Sequence, residues 1–118
     1  MDHAEFITIE TGDDLIVSFA LADDEPGEVR SLTLLRTPKY EFILDDAERG
    51  VTVSHEDFPE PEHDLLIAIQ VGPNEVVITT QTRRYAVDVG RVPEDEMEVA
   101  KRNLRKMNFD RRFALRII

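Results

Sequence analysis

The chain has 118 residues, 42% hydrophobic and 33% charged, with no cysteine and a formal net charge of −11. That length fits a single domain, 1–118, and the apolar content is enough for a core, which excludes a chain disordered throughout. Disulfide and thiolate chemistry are excluded, and the charge repels nucleic acid at long range while attracting cations and basic proteins.

In chain order, most of the sequence alternates apolar and polar residues, the signature of half-buried strands. The runs are "EFITIE" (5–10), "LIVSFAL" (15–21), "VRSLTLLR" (29–36), "YEFIL" (40–44), "GVTVS" (50–54), "DLLIAIQV" (64–71), "EVVITTQ" (75–81) and "RYAVDV" (84–89). In the clearest of them Leu15, Val17, Phe19 and Leu21 share one face. The breaks between runs carry Gly, Pro and Asp, which suit turn geometry.

At Val92 the period changes. Pro93 stands where a helix would begin, Glu94, Asp95 and Glu96 fill the first turn, and basic residues fill the last. This order suits the helix dipole. Met97, Ala100, Leu104 and Met107 form one apolar stripe, and Asn108 is a helix stop. The last residues, "FDRRFALRII", read as a short strand. The expected fold class is α+β, mainly antiparallel β. It is an eight-stranded meander, barrel-like or a sandwich, with one helix near 93–107 and a short final strand.

The segment 55–64, "HEDFPEPEHD", is the one candidate metal site. If the strands on either side pair as a hairpin, His55 and His63 face each other across its neck, with Glu56 and Asp57 supplying oxygen. Two histidines and a carboxylate suit zinc or another divalent ion. The spacing matches no defined metal motif, and Pro59 and Pro61 equally suit a stiff solvated loop. "DDAERG" lacks the ligand pattern of a calcium-binding EF-hand loop.

Nothing in the chain marks a catalytic residue. The five glycines stand apart, so no phosphate-cradling loop can be built, and no serine sits in a nucleophile elbow. Ser54 and His55 are strand neighbours that point to opposite faces. The reading therefore leans away from an enzyme.

Charge is uneven. Residues 1–82 hold 19 acidic and four basic residues, and residues 83–118 hold six acidic and ten basic. The basic C-terminal segment reads first as a solvated face, second as a dock onto the acidic body, and last as a nucleic-acid contact with Phe109 and Phe113 stacking. In an up-and-down meander alternate turns share an end. One end would then gather Asp23, Asp24, Glu25, Asp45, Asp46 and Glu48 as a surface for a basic partner.

From sequence, the function is that of an acidic, non-enzymatic protein-interaction or regulatory module that binds a basic partner. The alternative is a metal-binding protein, up to a metal-dependent hydrolase, using the 55–64 loop. A cytoplasmic protein is expected, without membrane contact, since no run spans a bilayer and "MDHAE" is not a secretory start. An unpaired edge strand or the apolar C-terminus, ending in Ile-Ile, would allow a homodimer.

Overall fold

The computed structural model of the chain describes residues 2–22 and 28–118. Strands β1 (Asp2–Thr11), β2 (Leu15–Ala22), β3 (Val29–Arg36) and β4 (Thr52–His55) form one antiparallel series. Strands β5 (Leu66–Val71), β6 (Glu75–Thr80) and β7 (Arg84–Asp88) form a second. A helix, α1 (Glu94–Met107), then leads to β8 (Ala114–Ile117). All eight strands belong to one sheet in the order β4-β3-β2-β1-β7-β6-β5-β8. No helix among the described residues is long and apolar enough to cross a membrane.

The strands and the helix stand close to where the residue pattern puts them, but their connection differs from a continuous meander. The two series join through a parallel contact, Asp2 with Val87 and His3 with Asp88, and β8 lies parallel to β5. The sheet is therefore mixed. β7 and β8 point the same way because the helix between them makes the return trip that a parallel arrangement requires. One sheet forms rather than a two-sheet sandwich, and it is not closed. The two series also touch at an isolated bridge, Thr52 with Leu65, flanked by backbone bonds from Val53 N–H to Asp64 O and from Leu66 N–H to Val51 O.

The fourth expected strand, "YEFIL", is a 3-10 helix, Pro38–Ile43, followed by a second short one, Asp46–Glu48. Pro38 presets the backbone for a helical turn and has no N–H to give a ladder. Gly50, at φ 135°, then makes the turn into β4 that a residue with a Cβ adopts only under strain.

Alternation places one apolar face inward. Val17, Phe19 and Leu21 on β2, Leu32 and Leu34 on β3, and Val76 and Ile78 on β6 are all buried. In β1 and β5 the inward residues step by three, from Ala4 to Ile7 and from Leu66 to Ile69. A register shift in each strand absorbs the extra residue, as a bulge does. Met97, Ala100, Leu104 and Met107 add the stripe of α1, and one continuous cluster results.

The helix packs along β1 and β2. β7 pairs with β1 over only two residues, which leaves the rest of that edge of β1 open. There the Ile7 N–H donates to Glu96 Oε1 at 3.0 Å; on β2, Ile16 O accepts from Asn103 Nδ2 at 3.1 Å. Pro93 is the N-cap rather than the first helical residue, and Asn108 is the C-cap.

Candidate functional site

The structure does not bring the four candidate metal ligands together. His55 points into the core from β4, where its ring stacks on Tyr85 (5.5 Å, 13°) and meets Phe58 (5.1 Å). Its Nδ1 accepts the Asp57 N–H at 3.0 Å, which leaves the proton on Nε2. That Nε2 lies 3.6 Å from Asp2 Oδ2, too long for a hydrogen bond. Burial lowers the His55 pKa, and the nearby Asp2 carboxylate only partly offsets it.

His63 is exposed, with Nε2 3.1 Å from Glu48 O. Glu56 is exposed, and Asp57 is held by the Arg30 guanidinium. The flanking strands β4 and β5 are not neighbours in the sheet, and they meet only at the isolated Thr52–Leu65 bridge. One histidine ends inside the core and the other in water. Among the described residues no group of three or more His, Asp or Glu is placed to hold a metal ion. Asp64, at the end of the loop, is buried and accepts from Thr80 Oγ1 (2.6 Å), Thr82 Oγ1 (2.8 Å) and Thr82 N–H (3.2 Å). It is a tie between the loop and the β6–β7 turn.

Of the six candidate partner-binding carboxylates, Asp23, Asp24 and Glu25 lie outside the described residues. Asp45, Asp46 and Glu48 are exposed and lie beyond the C-terminal end of β3. The expected gathering assumed that "YEFIL" was a strand, which it is not. Asp13 and Asp14 stand at this end too. Asp14 Oδ1 accepts from Thr37 Oγ1 at 2.6 Å, and Asp13 Oδ2 lies 3.2 Å from Lys39 Nζ.

The same end holds an inversion that the residue pattern does not announce. Arg36 shares the inward face of β3 with Leu32 and Leu34, and its side chain is fully buried. Its Nε and Nη2 donate to Glu41 Oε2 and Oε1, both at 2.8 Å. Its Nη1 and Nη2 donate to Asp110 Oδ1 (2.7 Å) and Oδ2 (2.8 Å), and Nη1 also donates to Met107 O (2.8 Å). All five donor positions of the guanidinium are thereby engaged. The Phe109 ring covers the group, its centroid 4.2 Å from Cζ.

Burial disfavours the Arg36 charge, but hydrogen bonds to Asp110 and Glu41 more than offset it, so its pKa is raised. The Arg36 hydrogen bond, with help from Arg112, holds the Asp110 carboxyl well below the usual range.

Glu41 is consequently drawn inward from the middle of the 3-10 helix. Its apolar neighbours turn out: Tyr40 is 53% exposed, Phe42 75% and Ile43 72%. Beside them is a groove of about 210 Å³, walled by Leu35, Tyr40, Ile43 and Leu44 and edged by Glu48 and His63. Among the described residues neither Asp45 nor Glu48 is ion-paired, whereas Asp46 binds Arg112 Nη2 at 2.6 Å. The basic C-terminal segment thus docks in part onto the acidic body of its own chain. Phe113 is buried, and Phe109 is the exposed cover of Arg36.

The chain matches no protein-family model, no curated protein and no solved structure. What the site does has to be read from its own chemistry. One signal for it was in the sequence: Arg36 keeps step with Leu32 and Leu34, as Arg30 does at the other end of the same face.

Proposed function

We propose that the chain is a non-catalytic protein-interaction module that binds a basic partner through the face around the 3-10 helix Pro38–Ile43. The observation that carries this is the reversed polarity of that helix, which buries a glutamate and exposes Tyr40, Phe42 and Ile43. Scattered exposed apolar residues are ordinary. A buried charge beside a contiguous exposed apolar group is not, and such patches rimmed by polar residues mark interaction surfaces. The rim here is acidic, formed by Asp13, Asp14, Asp45 and Glu48, with Lys39 and Arg49 close by. Like charge at the rim, on a molecule of net −11, favours encounter with a basic surface.

The test is a peptide array of equal apolar content in basic, neutral and acidic versions, probed with the folded protein. Binding should concentrate on the basic set. The double charge reversal Asp45→Lys with Glu48→Lys should abolish it, with the thermal midpoint unchanged. Equal binding to acidic peptides, or binding indifferent to the reversal, would sink the proposal.

A further inference from the structure

The groove beside the 3-10 helix has walls and dimensions that specify the partner more closely. We infer that it is a socket for one bulky apolar side chain of a short basic segment, whose flanking Lys or Arg residues meet Asp45 and Glu48. This rests on the protein-interaction reading above. At about 210 Å³ the groove is smaller than the roughly 300–1,000 Å³ that drug-sized ligands and cofactors occupy. Its walls are apolar, from Leu35, Tyr40, Ile43 and Leu44, and the one buried carboxylate among its lining residues, Glu41, is already bound by Arg36. A polar small molecule would find few free partners there, whereas an aliphatic or aromatic side chain displaces water from both walls.

The charge that remains is net negative, since Arg49, held on the Leu44 carbonyl, offsets only one of two carboxylates. Glu48 edges the groove and Asp45 lies just before the second short helix, both exposed and unpaired among the described residues. A segment with an apolar anchor and basic flanks is therefore complementary at both points. An acidic or purely apolar segment is not. The walls are held from beneath, because Arg36 fixes Glu41 and, through Asp110 and the Met107 carbonyl, ties the 3-10 helix to the end of α1. A socket that is already formed loses less on binding than one that must be ordered.

The decisive experiment titrates the protein with two fluorescent nine-residue peptides of identical basic charge, one with a central leucine and its twin with a central serine. Anisotropy gives affinity, and amide chemical shifts locate the contact. The leucine peptide should bind at least tenfold tighter, with shifts at Leu35, Ile43, Leu44 and Thr52. Ile43→Ser, at an exposed position that leaves the fold intact, should erase the difference while the serine twin binds as before. Ile43→Val should retain it. Equal binding of the two peptides, with shifts confined to the carboxylates, would overturn the socket and leave the protein-interaction reading standing. Failure of both peptides to bind would remove both readings. A dimer in sedimentation that Ile43→Ser dissolves would make a second copy of the chain the occupant and overturn the basic-segment assignment.

Discussion

Arg36 and His55 are both buried on the inner face of the sheet, and their chemistry differs because their partners differ. Arg36 has a partner for every donor, so removing it leaves the buried Glu41 without a cation and Asp110 with Arg112 alone. Arg36→Met is expected to cost about 3–5 kcal/mol, measured by urea unfolding. It should also release Glu41 to water, which proteolysis near residue 42 would report. Arg36→Lys will not rescue, since a point charge cannot reproduce two forked contacts.

His55 is buried in its neutral form. In the unfolded chain it takes up a proton near pH 6.5, and in the fold its pKa is lower because burial disfavours the charge. The unfolded state therefore binds the proton first as pH falls. Stability should decline from about pH 6.5 downwards until the folded pKa is reached. His55→Phe should flatten that decline in denaturant midpoints taken between pH 5 and 7. A slope equal to wild type would exclude His55 as its source.

Among the elements, the 3-10 helix Pro38–Ile43 and α1 respond to substitution in opposite ways. Phe42 and Ile43 stand in water, so replacing either with serine should change stability by no more than about 0.5 kcal/mol. Phe19 lies at the centre of the core on β2, and Phe19→Ala should cost about 3–5 kcal/mol. The contrast separates residues retained for packing from those exposed on the 3-10 helix. Glu96 on α1 stands in for the strand that β1 lacks beyond its short contact with β7. Glu96→Ala should cost about 1.5–3 kcal/mol, the range for a hydrogen bond to a charged group. It should also speed amide exchange at Ile7 specifically. Unchanged exchange there would mean that another acceptor takes over.

For the whole molecule, the unequal charge of the two parts of the chain becomes internal pairing. Arg112 binds Asp46 and Asp110, and Arg36 binds Asp110 from the other side, so the basic end neutralises part of the acidic body. The charge left over acts at a distance. The association rate of the basic probe peptide should therefore fall steeply with ionic strength. The Debye length shortens from about 30 Å at 0.01 M to about 8 Å at 0.15 M. The salt-insensitive remainder of its affinity should belong to the apolar anchor.

Most strand positions, the helix 94–107 with its charge order, the stop at Asn108 and the net acidity can all be read from residue pattern. Each depends on neighbours within a few positions, so a period of two or 3.6, a proline or a cap is sufficient. Strand order is not local in this sense, since the parallel contact of Asp2 with Val87 joins the two ends of a long stretch of chain. The fate of "YEFIL" is not local either. Its alternation suits a strand, but Arg36 reaches Glu41 from five residues away and Asp110 from 74. Satisfying a buried guanidinium outweighs the burial of three apolar side chains. That long-range electrostatic demand turned a predicted strand into the exposed wall of a groove. Tertiary packing likewise decided that His55 lies in the core while His63 stays in water.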